Sequence, residues 1–329
     1  GSVGRCRRGR TGCQVRAFTM VTAFRWLLRI FAALVLAAAG GLGLAYYFAA
    51  RALPDYNATY RIDGLTAPVE IVRDTADVPH VFGRTDADVF QALGFAHAQD
   101  RLWQMVMLRR TAQGRLSEVF GPETVKTDAL MRTLDLYGLA ARSVAAQDDE
   151  TRVALEAYAK GVNAWIKVVN AQSRGRGAPE FFLFRNEISY WQPADSLAIL
   201  KLMALRSTAQ AEAEVMRARL SVLSETWPRD LMPDVPGPGV AALPPYAELV
   251  PGVKRSYAAL EEATAPFWPL PRFASAGASN AWAAAPARSA AAGSLLANDP
   301  HLDFSAPSLW YLARLELASG GVIGGTIPG

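Results

Sequence analysis

Residues 30–50, IFAALVLAAAGGLGLAYYFAA, form the longest uncharged apolar run in the chain. As a helix its 21 residues would reach about 30 Å, the thickness of a bilayer's hydrocarbon core. Beyond it the pattern breaks into shorter periodic segments. Residues 69–83, VEIVRDTADVPHVFG, alternate in polarity and turn through Asp74 to Asp77, which predicts a short hairpin. Thr85, with Asp88 three positions on, resembles a capping box, and the run that follows sets Leu93, Ala96, Leu102, Met105 and Leu108 near one helical stripe. One long helix is expected there. A second opens on the acids of residues 148–150, which suit a helix N-terminus, and continues through TRVALEAYAKGVNAWIKVV. A third is expected over residues 196–223, after Pro193. The stretch 69–223 therefore reads as mainly helical.

Periodicity then fails. Between Thr226 and Ala278 lie ten of the chain's twenty prolines, a composition that breaks helices and strands alike, so this stretch reads as a linker. After it, SNAWAAAPA and SLLANDPHL are two short apolar stretches that predict a strand hairpin. No internal repeat is evident.

Composition changes this picture in three places. The 329 residues are 51% hydrophobic and 19% charged, enough to bury a sizeable core. The net charge of +4 comes from residues 1–51, which carry eight arginines and no acid; the remainder holds 26 basic against 30 acidic residues. No basic stripe is left outside the N-terminus, so a nucleic-acid partner loses its support and none is expected. Arg25 and Arg29 precede the apolar run, so the positive-inside bias puts that end in the cytoplasm and everything after Arg51 on the far side. Tyr46, Tyr47 and Phe48 fall where an interfacial aromatic belt is expected. The run is read as an uncleaved anchor, with a cleavable signal peptide as the alternative; such peptides have shorter apolar regions, about 7 to 15 residues. Met20 looks more like a start than Gly1. Both cysteines, Cys6 and Cys13, lie ahead of it, so the exported part has none and the cysteine-based chemistries fall together.

The segments IVRDTADVPHVFG, ALGFAHAQDRLWQMVMLRRTAQGRLSEVFG and YAKGVNAW, then a proline-rich spacer, then SNAWA and NDPHL, come in an order that resembles the precursor of the penicillin acylase family, within the N-terminal nucleophile hydrolases. The resemblance implies an α+β fold, the four-layer αββα sandwich. It would be incomplete here, with a helical α chain, the first β-chain strands and a transmembrane helix ahead of them. It also implies an order of parts: residues 1–29 a basic cytoplasmic N-terminus, 30–50 the anchor, 51–224 the α-chain region, 225–278 the spacer and 279–329 the start of the β chain. The implied molecule is a self-processing amidohydrolase of linear amides, anchored in the inner membrane with its catalytic part in the periplasm. Its partners would be a small-molecule acyl amide, its own β chain and the membrane.

Carried over to this chain, the resemblance makes Ser279 the nucleophile and the bond between Ala278 and Ser279 the one to be cut. The chemistry explains why a serine with no Gly-x-Ser-x-Gly elbow around it deserves notice. A serine hydroxyl needs a base within hydrogen-bond reach, and an N-terminal serine carries one, its own α-amine, with an ordinary pKa of about 7.7 to 8.0. The bland alternative is an ordinary strand-edge serine. The resemblance places His301 beside the nucleophile, where packing alone is the alternative. His80 and His97 are far apart in sequence, lack metal-ligand spacing and are read as structural. The resemblance aligns Glu214 with an α-chain glutamate that binds a structural Ca²⁺, with Glu212 a close competitor and a solvated helix face the bland alternative. Met203, Arg206 and Ser207 match a helix segment bordering the acyl pocket. A membrane-anchored, non-catalytic acylase-like binding protein stays open as the other class, and the particular acyl amide is left undecided.

Overall fold

The computed structural model describes residues 11–171, 177–184, 188–207, 210–220, 279–302 and 305–329. The expected spacer therefore lies outside the described residues, as do Cys6 and Ala278. In chain order the helices are α1 (Thr11–Ala52), α2 (Asp86–Gln113), α3 (Ser117–Phe120), α4 (Val125–Thr133), α5 (Leu136–Ala145), α6 (Asp149–Ala171), α7 (Pro193–Ser207) and α8 (Gln210–Leu220). The strands are β1 (Glu70–Arg73), β2 (Pro79–Phe82), β3 (Asn280–Ala284), β4 (Leu295–Asp299), β5 (Tyr311–Leu317) and β6 (Gly320–Thr326).

The chain divides into two units, residues 1–59 with 171–186, and residues 60–170 with 187–329. In the first, α1 contains the apolar run and starts well before it. Its Thr22–Ala52 portion, 31 residues, is long and apolar enough to cross a membrane, and the side chains of this span are exposed almost throughout.

In the second unit a four-stranded sheet runs in the order β1-β2-β5-β6. The β1–β2 hairpin is where the alternation placed it. Its turn is tied by Asp74, whose Oδ1 accepts from the backbone N–H groups of Ala76 (2.8 Å) and Val78 (3.1 Å). The central pairing, β2 with β5, is parallel and joins His80 to Arg314 and Val81 to Leu315. The β5–β6 pair is antiparallel, with Tyr311 opposite Thr326. One face of this sheet, through Val81, Tyr311, Ala313 and Leu315, packs on Val89, Ala92 and Leu93 of α2. The other face keeps Phe82, Leu312 and Ile323 exposed. A separate two-stranded sheet is the predicted hairpin, β3 against β4, with Asn280 opposite Asp299. The described residues thus give a mixed helix-and-sheet fold in which helices cover one side of the main sheet. They do not assemble the four-layer arrangement.

Helix α2 begins as the capping signal implies, with Thr85 Oγ1 accepting from the Asp88 backbone N–H at 3.2 Å. The single stripe expected on it is too narrow, because every residue from Gln91 to Gln99 is buried. The sheet packs on one side of this helix and α6 on another. Against α6 the approach is so close that a Cβ on Gly161 would fall on the carbonyl oxygen of Gln91, and one on Gly94 on that of Tyr158. Glycine permits that backbone contact. Helix α2 also has a non-helical residue at Arg101 (φ −135°, ψ 18°), whose guanidinium donates to the Ser308 carbonyl at 3.1 Å. Asp148 caps α6 as expected, accepting from the Thr151 N–H at 2.7 Å.

The third predicted helix starts earlier than Ser196. Pro193 occupies the first helical position, where no N–H is needed, and Asp195 two residues on reaches back to accept the Gln192 N–H at 2.8 Å. Residues 210–220 continue as α8, and residues 208–209 lie outside the described set.

Candidate active site

Ser279 stands directly ahead of β3 and is exposed. β3 and β4 pair antiparallel from Asn280–Asp299 to Ala284–Leu295, and Pro300, which has no N–H, ends β4. The last pair of the ladder is Asn280 with Asp299, so Ser279 and Pro300 leave it at the same end, with His301 one residue further. His301 Nε2 lies 2.6 Å from Asp299 Oδ2, both side chains being largely exposed. The hairpin therefore brings the expected serine and histidine to one end. The imidazole contacts Asp299, however, and among the described residues the Ser279 side chain makes no hydrogen bond. Asp299 was not singled out in the sequence, although its place two residues before His301 is the available signal.

The expected pocket residues sit on α7. Met203 is buried and Arg206 half-buried, three positions apart and so on one side of the helix. Burial lowers the Arg206 pKa from its ordinary value. Neither residue hydrogen-bonds Ser279. Ser207 belongs to α7 and Glu214 to α8, but their side chains lie outside the described set. Among the described residues no group of three His, Cys, Asp or Glu side chains could hold a metal ion.

Two buried polar networks hold these elements in place, and sequence reasoning missed both. In the first, the Gly329 N–H donates to Tyr158 Oη (2.8 Å), which lies 2.8 Å from His97 Nδ1; His97 Nε2 lies 2.9 Å from Thr326 Oγ1, which donates to the Tyr311 carbonyl (2.8 Å). Donor bookkeeping fixes the tautomer. The two backbone groups set the direction at each end, so Tyr158 donates to Nδ1 and the proton on His97 sits on Nε2. Burial, with a smaller push from the Arg101 charge, lowers the His97 pKa to about 3, and burial raises that of Tyr158. Beside it, Arg73 and Tyr311 both donate to Asp100 Oδ2, at 2.8 and 2.6 Å. His97 thus has the structural role expected of it, but as the middle of a relay between α2, α6 and the end of the chain.

The second network anchors the start of α7. Asp195 Oδ1 accepts from Tyr137 Oη (2.9 Å), and its Oδ2 lies 3.5 Å from the Arg109 guanidinium, with both partners of the pair almost fully buried. The guanidinium also donates to the Ser189 carbonyl and lies 5.0 Å from the Trp191 ring centroid.

Comparison with known proteins identifies the class. The penicillin amidase family model matches residues 68–329. Penicillin acylase 2 proenzyme of Pseudomonas sp. (strain SE83) is 33% identical over 285 residues, 84% of this chain and 36% of that protein. An acyl-homoserine lactone acylase of Pseudomonas aeruginosa is 31% identical over 293 residues, 81% of this chain and 31% of that protein. Among solved structures, a thermostable penicillin G acylase from Alcaligenes faecalis matches with a TM-score of 0.43 at 28% identity, covering 54% of this chain and 98% of that one. The chain belongs to the penicillin amidase family. It spans about a third of the length of the curated relatives it matches.

Proposed function

We propose that the protein containing this chain is an acylase-type amidohydrolase that processes itself at Ser279 and then uses that residue as an N-terminal nucleophile. The observation that carries this reading is the exposed position of Ser279 immediately before β3, inside a family match that continues to residue 329. In the precursor the α-nitrogen of Ser279 is an amide and cannot act as a base. The Ser279 hydroxyl adds to the Ala278 carbonyl, the carbon–nitrogen bond breaks, and the nitrogen takes up the hydroxyl proton and leaves as a neutral amine. Water then opens the resulting ester, leaving a carboxylate on Ala278 and a free α-amine on Ser279.

That amine is the catalytic base. It takes the hydroxyl proton as the oxygen adds to a substrate's amide carbonyl, then returns it to the departing amine. The acyl ester on Ser279 is released by water. His301, held by Asp299, orients the head of the hairpin, and Met203, Arg206 and Ser207 border the acyl group. The names of the relatives support acyl side chains of β-lactams or of homoserine lactones as the substrate class.

The processed α and β chains form the working pair. Glu214 contributes one ligand to a structural calcium, with the remaining oxygens coming from residues outside this chain. Helix α1 anchors the protein in the inner membrane, with the catalytic part in the periplasm. Hydrolysis assays on the complete protein, using benzylpenicillin and a series of N-acyl homoserine lactones, test the reading. Wild type should release free acid from at least one class, and Ser279→Ala from none. Undiminished hydrolysis by Ser279→Ala would refute it.

A further inference from the structure

Inside the first unit, one segment lies against the far end of the apolar span. Residues 177–184 lead into a single 3₁₀ turn, Pro179–Phe182, followed by Leu183 and Phe184. The Phe182 ring lies 4.4 Å, centroid to centroid, from that of Phe48, which in turn packs edge-on against Tyr47 at 5.6 Å. Phe48 is two residues short of the end of the apolar run, about 3 Å along the helix axis at 1.5 Å per residue. It therefore marks the level of the membrane–water interface, where Tyr46 and Tyr47 are exposed and the Arg51 guanidinium sits 5.3 Å from the Tyr47 ring centroid.

The turn presents FFLF, four apolar side chains in a row, and Leu183 among them is 79% exposed. Phe181, Phe182 and Phe184 are half-buried, so Leu183 is the side chain of this run left facing water, where an apolar group gains by leaving it. The backbone of the run is already satisfied where it turns: Phe181 N–H bonds to Ala178 O at 3.2 Å, and the N–H groups of Leu183 and Phe184 both bond to Glu180 O, at 2.9 and 3.0 Å. Entry into the edge of a bilayer thus leaves none of these donors without a partner, the main cost that keeps loops out of lipid. Glu180 sets the depth. In a 3₁₀ turn, residues three apart eclipse, so this carboxylate lies on the side of Leu183 and keeps the turn at headgroup level.

We propose that residues 179–184 form a second membrane contact, a shallow apolar turn seated in the lipid interface beside the outer end of α1. The bilayer is the occupant because the turn continues the apolar surface of the span through the Phe48–Phe182 contact. Asn170 and Glu187 flank the segment in the chain, so the polypeptide meets the membrane at two separate places in its sequence. This inference rests on the anchor reading given above.

The test uses the full chain carrying Cys6→Ser and Cys13→Ser, with one cysteine at a time introduced at an exposed site and labelled with an environment-sensitive fluorophore. Leu183→Cys reads the turn, Tyr46→Cys the anchor and Val153→Cys, on α6, a position in the other unit. The proteins are reconstituted in phosphatidylcholine–phosphatidylglycerol vesicles with a nitroxide quencher either near the headgroup or deep in the acyl chain. The expected result is loss of emission at Leu183→Cys and Tyr46→Cys, larger with the shallow quencher at Leu183→Cys, and none at Val153→Cys. Quenching at Tyr46→Cys with Leu183→Cys behaving like Val153→Cys overturns the second contact and leaves the anchor standing. Absence of quenching at all three sites overturns the anchor and the contact together.

Discussion

Acidifying the protein from about pH 7 to about pH 4 should weaken the fold through His97. In the folded chain the imidazole is enclosed, accepts at Nδ1 from Tyr158 and donates at Nε2 to Thr326. The groups that face it are Tyr158 on α6, Tyr311 on β5 with its ring 4.7 Å away, and Arg101 on its own helix; none offers a negative charge, because Asp100 is taken up by Arg73 and Tyr311. The folded pKa is depressed to about 3, against 6.5 in an unfolded chain. Above pH 6.5 neither state binds the proton and stability does not change through this group. Below it the unfolded chain takes up a proton that the folded chain refuses, so stability falls until the pH reaches about 3. At about 1.4 kcal/mol per pKa unit, the loss is about 3 kcal/mol by pH 4 and on the order of 5 kcal/mol in full.

Urea unfolding of the protein in detergent, followed by tryptophan fluorescence across this range, measures the loss. Carboxylates titrate in the same window, so the comparison is with His97→Gln, which keeps one acceptor and one donor but has no proton to gain. The variant should be less stable at neutral pH and show a shallower fall on acidification, the difference approaching one proton between pH 6 and pH 4. Parallel curves for the two proteins would refute the reasoning.

Other perturbations follow from the same packing. Gly161→Ala puts a methyl group on the Gln91 carbonyl and should cost at least about 2 kcal/mol, read as a lower thermal midpoint; an unchanged midpoint would mean that α2 and α6 do not cross so closely. Asp195→Asn leaves the Arg109 charge buried beside Trp191 with its ion pair broken, and thermal melts should show about 3 to 5 kcal/mol of destabilisation; a loss under 1 kcal/mol would show that the pair is solvated. A reporter fused after Arg51 should be active only in the exported compartment, and cytoplasmic activity would reverse the proposed topology. Ser279→Cys should still self-process, since a thiol performs the same acyl shift, whereas failure to cut would tie the reaction to the hydroxyl.

The parts legible in the sequence are those set by neighbours along the chain. The β1–β2 turn declares itself through Asp74, and the starts of α2 and α6 through Thr85 and Asp148, because each cap is made within four residues. The β3–β4 hairpin is local in the same way, and it carries Ser279 and His301 to one end. What stayed hidden depends on distant partners. Residues 91–99 show no single stripe because the sheet and α6 bury α2 from different sides, and the sheet's centre pairs His80 with Arg314, more than two hundred positions apart in the chain. The His97 relay joins residues 61 and 229 positions apart, and no periodicity signals such a bond. The early start of α7 was missed because Pro193 reads as a breaker until Asp195 is seen closing the turn behind it.

The central claim is that Ser279 becomes a chain terminus. N-terminal sequencing of the polypeptides purified from the complete reading frame tests it most directly. One of the chains should begin Ser-Asn-Ala-Trp, and the Ser279→Ala protein should remain a single uncut chain. A wild-type protein that stays intact, or a chain that begins at any other residue, would contradict the account.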